Sequence, residues 1–297
     1  MSIRLRRVAR SICIGLALCV GTFGAASAQD AATLKSRHGA LQEKLATNQF
    51  GRPLVLESKE SSDDLKGDVY AVVDHPFATV QQALQSSEHW CDILILHLNV
   101  KRCRAGSGAG KTLSLSVGRK FDQPIEDAYA LEFAYRLVAT TPDYLQVQLT
   151  AEDGPLSTKN YRIVVEAAPV DAKRSIVHMS YAYGYGFTAR MAMEAYLATL
   201  GRNKVGFSIT GRGSDGKPVY MGNVRGVVER NTMRYYLAVE AYLGALGLPT
   251  AEQSERRMRD WYTSIERYPV QLHELERNEY LEMKRKEVQR QQAAARP

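Results

Sequence analysis

Through the middle of the chain, apolar residues recur at every second position. Leu113, Leu115 and Val117 alternate with Ser114 and Ser116, and Leu131, Phe133, Tyr135 and Leu137 alternate with Glu132, Ala134 and Arg136. The period continues in Leu145, Val147 and Leu149 against Gln146 and Gln148, and in Tyr161, Ile163 and Val165 against Arg162, Val164 and Glu166. Such alternation predicts antiparallel strands with one face on a core and the other face wet. Thr141-Pro142-Asp143, Asp153-Gly154-Pro155 and Asp171-Ala172-Lys173 supply turn chemistry between them. Upstream, residues 53–60 and 68–74 read as two further strands around a polar turn at 61–67. His75-Pro76 ends the second, because proline cannot continue a paired strand. Residues 77–90 read as one helix, with Phe77, Val80, Leu84 and Trp90 on or near one face, and residues 91–103 run from the helix end into a third strand.

Two later stretches carry the most information. The strand at 175–187 sets Val177, Met179, Tyr181, Tyr183, Tyr185 and Phe187 on one face and Ile176, His178, Ser180, Ala182, Gly184 and Gly186 on the other. Large aromatics backed by glycines predict strong curvature. Residues 223–246 read as one helix, about 36 Å long at 1.5 Å per residue. Val224, Val228, Asn231, Tyr235, Ala238, Tyr242 and Leu246 fall on one stripe, with Asn223 placed to cap the start and Gly247 with Pro249 to end it. Two tyrosines and an asparagine stand where a plain core helix carries leucine and isoleucine. The stripe is expected to close over the concave side of the sheet. Between these stretches, residues 190–200 read as a short helix and 204–220 as a hairpin or loop.

The ends differ from this centre. Residues 1–28 hold Arg4, Arg6, Arg7 and Arg10, then an apolar run too short for a membrane span, then Ala26-Ser27-Ala28. That pattern is a secretory signal peptide with cleavage after Ala28, so the mature chain is expected in the periplasm. The 297 residues carry 39 Lys+Arg and 32 Asp+Glu, net +7; four arginines and no acid leave with the signal peptide, which lowers the balance to +3. So mild a charge gives no argument for a nucleic-acid partner. Cys13 and Cys19 leave as well. Cys91 and Cys103 are then expected to pair in an oxidising compartment, closing a short loop worth roughly 3 kcal/mol. Residues 31–49 have helical spacing in Leu34, His38, Leu41 and Leu45. After Pro249, Thr250 with Gln253 reads as a capping box opening a helix to about Arg267, and Pro269 breaks it. Residues 271–292 read as a charge-dense helix with Leu272, Leu275 and Val288 as its few apolar points, packed loosely on the domain or serving a protein partner.

The order strand, strand, helix, meander, long closing helix resembles the START-related, polyketide-cyclase-like superfamily, the helix-grip fold. The resemblance is carried by DVYAVVDHPFATVQQALQSSEHWCDIL and by the pairing of IVHMSYAYGYGF with NVRGVVERNTMRYYLAVEAYL as final strand and closing helix. It covers residues 54–246. It implies an α+β fold, a curved antiparallel sheet closed by a long C-terminal helix, here with added N- and C-terminal helices. The organisation is then a signal peptide at 1–28, an N-terminal helix and linker at 29–53, a helix-grip domain at 54–248 and a helical extension at 249–297. The resemblance also implies a deep cavity between sheet and helix that takes lipids, sterols, polyketides or other apolar molecules. Most members bind or carry such ligands, and a minority catalyse reactions on them.

Candidate chemistry narrows the reading. Residues 105–112 fit a relaxed phosphate loop, yet a strand follows where that loop needs a helix, so a flexible hairpin explains them. His89, Cys91, His97 and Cys103 are zinc ligands by type, but their spacing matches no zinc module, and a disulfide with two ordinary histidines is the simpler account. No nucleophile elbow is present, and Asp92 reads as a helix-end cap or surface carboxylate. No metal, catalytic residue or cofactor is expected. Tyr135, Tyr181, Tyr183 and Tyr185 from the sheet, facing Asn231, Tyr235 and Tyr242 from the helix, are the candidate ligand-binding residues. Apolar walls with a few hydroxyls suit a lipid or sterol; the alternative is a filled core in which each hydroxyl finds a protein partner. Glu229 and Arg230 would add a polar end or form a surface pair. The expected function is an exported binding or carrier protein for a hydrophobic small molecule or lipid, with transient membrane contact. The alternatives are a cyclase- or hydratase-type enzyme using tyrosine hydroxyls as acids, and a scaffold acting through the C-terminal helices.

Overall fold

The computed structural model describes residues 30–106, 111–199 and 201–293. The signal-peptide stretch and the centre of the glycine-rich loop at 107–110 lie outside the described residues. Eight strands make one antiparallel sheet: β1 (Leu54–Glu60), β2 (Asp64–Val73), β3 (Val100–Ala105), β4 (Thr112–Val117), β5 (Tyr129–Thr141), β6 (Tyr144–Asp153), β7 (Thr158–Pro169) and β8 (Ser175–Tyr185), in the order β1-β2-β8-β7-β6-β5-β4-β3. The final strand thus returns beside β2 and the meander runs outward from it. The alternation read from the sequence sets the inner face: Leu113, Leu131, Phe133, Leu149, Ile163, Met179 and Tyr181 are all buried in one core. Irregular steps in the ladders of β3, β5 and β7 add bends to those expected from the β8 glycines.

Around the sheet lie α1 (Ala31–Ala46), α2 (Phe77–Leu84), α3 (Ser87–Leu94), α4 (Phe187–Ala198), α5 (Asn223–Gly244), α6 (Thr250–Ile265), α7 (Pro269–Leu272) and α8 (Arg277–Ala293), with a hairpin of β9 (Ile209–Arg212) and β10 (Pro218–Tyr220). The single helix expected at 77–90 is two. The chain turns at Gln85-Ser86, and Trp90 donates its indole N–H back to the Leu84 carbonyl at 2.9 Å. Strand β2 starts earlier than its apolar run, because a tight turn closes with Ser61 N–H on the Asp64 carbonyl at 2.9 Å.

Helix α5 grips the sheet, and it is more deeply embedded than one apolar stripe requires. Besides Val224, Val228, Ala238 and Tyr242, it buries Glu229, Arg230, Thr232 and Arg234. Helix α6 covers a second side, where Trp261 donates to the Arg234 carbonyl at 3.0 Å. The sheet side is set by Gly67 on β2: a side chain there would collide with Thr232 Oγ1. Asn223 does not cap the helix with its side chain; Gly222 holds the cap position and Asn223 sits at φ 54°, a left-handed backbone that asparagine tolerates. Glu229 is neither a rim nor a surface residue. It is fully buried and accepts from Ser58 Oγ at 2.5 Å, Ser208 Oγ at 2.7 Å and the amides of Phe207 and Ser208 at 2.6 and 2.9 Å. That one carboxylate ties β1, the segment before β9 and α5 together.

The C-terminal helices belong to the same core, contrary to the loosely packed tail expected for residues 271–292. Tyr280, Leu281, Met283, Lys284 and Glu287 are buried, and Tyr280 stacks on Trp261 at 4.9 Å. Lys101 of β3 and Lys284 of α8 share Glu287 at 3.0 and 2.7 Å and donate to the carbonyls of Leu98, Phe121, His97 and Val100. Buried charges persist only when paired and hydrogen-bonded in this way. The Thr250–Gln253 capping box does not form; Pro249 occupies the cap position and Gln253 donates to the Leu248 carbonyl at 2.9 Å. Cys91 on α3 and Cys103 on β3 are disulfide-bonded across a separation of 12 residues.

Two outcomes follow. Gly67→Ala lifts α5 off β2 and should lower the unfolding free energy by about 1–3 kcal/mol, the range for overpacking, read as a lower urea midpoint. Removing residues 277–297 strands Lys101 without Glu287, so the shortened chain should lose its cooperative thermal transition; a truncated protein that melts like the full chain would contradict the shared core.

Candidate functional site

The inner residues of β8 and the cavity side of α5 meet in a cluster of rings. Strand register places Tyr181 beside Ile163 of β7 and Gly67 of β2, and Tyr183 beside Leu65. Tyr181 lies 5.2 Å from Tyr235 of α5 and 5.5 Å from Tyr183, while Tyr161 of β7 stacks on Tyr183 at 5.3 Å. His97, between α3 and β3, stacks on Tyr235 at 4.5 Å. Of the seven candidate residues, Tyr181, Tyr183 and Tyr235 come together here. Tyr135 instead donates to the Gln85 carbonyl at 2.6 Å. Tyr185 sits at the rim between Glu60 and Arg190, at 3.3 and 3.2 Å. Tyr242 lies one stretch further along α5, under the Arg257 guanidinium at 4.1 Å, and Asn231 accepts a long 3.5 Å bond from Arg234. Tyr161 and His97 were missed as site residues. Tyr161 was visible as the inner residue of its strand, but His97 falls in a connection where no period assigns a face.

The hydroxyls divide into two groups. Tyr161 pairs with Thr158 Oγ1 at 2.7 Å. No hydrogen bond joins the hydroxyls of Tyr181, Tyr183 and Tyr235 to another of the described residues; the first two rings are buried in the core cluster and Tyr235, partly buried, packs against it. Burial raises the pKa of each, and pushes Tyr135 and Tyr242 up to about 12. All are therefore neutral phenols with a proton to donate. The rings touch one another across the space between β8 and α5. An open groove of about 1170 Å³ is lined by polar residues such as Lys66, Glu132 and Arg162 and by inner-face residues, Leu65, Leu131 and Tyr183 among them. That groove mixes both signs of charge and reaches the Tyr161–Tyr183 end of the ring cluster.

Beside the rings is a group of cations. Glu274, just before α8, accepts from Lys120 Nζ at 2.6 Å, Lys204 Nζ at 2.8 Å and Arg234 Nη2 at 2.9 Å. Burial acts to raise the Glu274 pKa, but the charges of Arg234 and Lys120 outweigh it and hold the carboxyl at about 2. Lys120 is lowered to about 8, by burial first and then by the Arg234 charge. Burial, then the charges of Arg234, Lys284, Lys120 and Lys101, hold His97 well below the ordinary imidazole value, so the ring is neutral.

No protein-family model matches the chain, and no curated protein matches it. Among solved structures it is similar to norcoclaurine synthase from Thalictrum flavum, with 14% identity over 48% of this chain and 91% of that one and a TM-score of 0.34. It is also similar to an aromatase/cyclase from a Streptomyces species, with 14% identity over 66% of this chain and 96% of that one and a TM-score of 0.35. Likeness at that level carries no inference about ligand or activity.

The face expected to be wet holds a second constellation. Helix α1 covers it with Leu34, Leu41 and Leu45, packed on Val55, Tyr70, Tyr144, Ala168 and Ile176. Beneath, His178 bonds Asp68 through Nε2 at 2.9 Å and Glu166 through Nδ1 at 2.6 Å, and its ring stacks on Tyr70 at 4.2 Å. Tyr144 donates to the other oxygen of Glu166, and Lys66 pairs with Asp68 at 2.9 Å. Burial lowers the His178 pKa, but the bonds to Asp68 and Glu166 outweigh it and the net shift is upward from 6.5. For Asp68, burial raises the pKa and the His178 and Lys66 contacts outweigh it, so the net shift is downward from 3.8. The His178 contribution to stability is full below its ordinary value and is lost as pH rises through the raised one; the Asp68 contribution is full above its ordinary value and is lost as pH falls through the lowered one. Stability from this cluster should therefore be greatest between about pH 4 and pH 6.5. Urea midpoints measured from pH 4 to pH 8 should decline on the alkaline side for the unaltered chain, and His178→Gln should flatten that decline.

Proposed function

We propose that this chain is an exported binding protein for a hydrophobic small molecule or lipid, seated between β7, β8 and α5. The observation that carries the reading is the cluster of Tyr181, Tyr183 and Tyr235 rings, whose hydroxyls bond no other described residue. Phenylalanine would fill the same space without a donor that seeks an acceptor. A guest with an apolar body and an oxygen acceptor supplies the missing bonds while keeping the walls dry. Because Tyr181 and Tyr235 touch, the guest parts those two rings as it enters.

The direction of the tyrosine shifts favours binding over the cyclase or hydratase alternative. A general acid works best with a pKa near the working pH, and burial moves these phenols away from it. The scaffold alternative loses its main support, since α6 and α8 are built into the core rather than displayed. Export to the periplasm is supported by the pattern of residues 1–28 and by a Cys91–Cys103 pair suited to an oxidising compartment. Loading from a membrane would entail transient contact with it.

The test is native mass spectrometry of the mature protein after incubation with an extract of its own cell envelope, together with titration of an apolar fluorescent probe. A lipid-sized adduct and saturable probe binding are expected. Tyr181→Phe and Tyr235→Phe should each weaken an oxygen-bearing guest about fivefold, since one hydrogen bond contributes about 1 kcal/mol. Absence of both adduct and probe binding would overturn the reading.

A further inference from the structure

The polar groups around the ring cluster share one property, which is that they donate. His97 is buried, and its Nδ1 accepts the Asn99 amide at 3.2 Å. A neutral imidazole that accepts at one nitrogen carries its proton on the other, so Nε2 is a donor, and it has no partner. The ring lies on Tyr235, whose own neutral hydroxyl is a donor that bonds no other described residue. The nearby charges are positive in excess. Lys120 and Lys204 alone bring two positive charges to the Glu274 carboxylate, and Arg234 bonds it as well. The fields of Lys120 and Arg234 reach His97, and that of Arg230, one turn earlier on α5, reaches both Lys120 and Tyr183. Phenol hydroxyls, an imidazole N–H and ammonium and guanidinium groups all seek the same thing, an electron-rich oxygen. A ligand offering only hydrocarbon, or an amine, would leave them unsatisfied or repel them.

Resting on the reading above, we propose that the guest is an amphiphilic acid. Its apolar body lies among Tyr161, Tyr181, Tyr183 and Tyr235, and its anionic oxygen head, a carboxylate or phosphate, is held by His97 Nε2–H and the Lys120–Arg234 side of the Glu274 cluster. The head offsets the surplus positive charge, and the body replaces the contacts that the rings now make with each other. The arrangement also orders the guest, because cations lie on the His97 side of Tyr235 while β8 offers phenols alone.

Calorimetry on the full mature chain with decanoate, decanol and inorganic phosphate tests this. Decanoate is expected to bind at least tenfold more tightly than decanol, and phosphate alone more weakly than decanoate. His97→Phe and Lys120→Met should each cut the preference for decanoate over decanol by threefold or more, with near-ultraviolet circular dichroism verifying that the fold persists. Equal binding of decanoate and decanol by the unaltered chain overturns the acid head and leaves the hydrophobic-guest reading standing. Binding of neither removes the hydrophobic guest itself. Phosphate binding as tightly as decanoate means a simple anion site and overturns the amphiphile. A preference unchanged in both folded variants overturns the placement of the head.

Discussion

Thr232 rests on the bare backbone of Gly67, and that contact sets how low α5 lies on the sheet. Much else follows from its height. A helix so close to β2 has little room for large side chains on that side, so its bulk is carried on the flanks, where Tyr235 and Tyr236 reach out to either side. It also lies deep enough for α6 to cover its back, which turns a closing helix into a central one. Polar side chains on all sides of α5 then need partners inside the protein. Glu229 receives four donors and Arg234 reaches Glu274. Gly206 and Gly226 permit the close approach that brings the Phe207 and Ser208 amides to Glu229, since a side chain at Gly226 would press on the Met221 carbonyl and the Gly206 amide.

This accounting gives the unpaired groups their meaning. The protein places two lysines and a glutamate in full burial under α8 and satisfies each with carbonyls or with one another. It encloses an Asp68–His178–Glu166 chain under α1 and bonds every member. A chain that solves these demanding cases elsewhere leaves the His97 Nε2–H buried without a partner, on a ring stacked against Tyr235. One such buried donor costs roughly 1–3 kcal/mol against a total stability of ordinarily about 5–15 kcal/mol, too large to be neutral and small enough to be tolerated for a ligand.

The sheet was legible because its strands alternate cleanly, and period two is a strong signal when one face is apolar. So was the pairing of β8 with α5, since Tyr181 and Tyr235 each fall on the inner set of their own element. The outer face was not legible. Asp68, Glu166 and His178 read as solvent-facing because alternation reports only that they oppose the core; that α1 folds back over them depends on a contact remote in sequence, and Leu34, Leu41 and Leu45 do not name their partner. The depth of α5 was hidden for a similar reason. Its second buried side consists of Glu229, Arg230, Thr232 and Arg234, residues that polarity assigns to solvent and that only their partners on other elements can hold inside. The charge-dense tail misled in the same way, because Lys284 and Glu287 look like surface residues until Lys101 is placed beside Glu287.

Strand β8 therefore carries two chemistries back to back. On its outer face, His178 is locked between carboxylates, every bond is made, and the cluster contributes to fastening α1. On its inner face, one residue further along, Tyr181 and Tyr183 keep their protons and bond no acceptor among the described residues. The strand backbone is common to both, so the rigidity supplied by the satisfied face holds the unsatisfied one in position. A site whose donors are fixed before the ligand arrives loses less conformational entropy on binding. Only the rings that touch across the gap, Tyr181 and Tyr235, then need to move, and Tyr235 alone is mounted on the helix. Opening is thus a matter of side-chain rotation against α5 rather than of separating the helix from the sheet, which the Gly67–Thr232 contact and the Glu229 clasp resist.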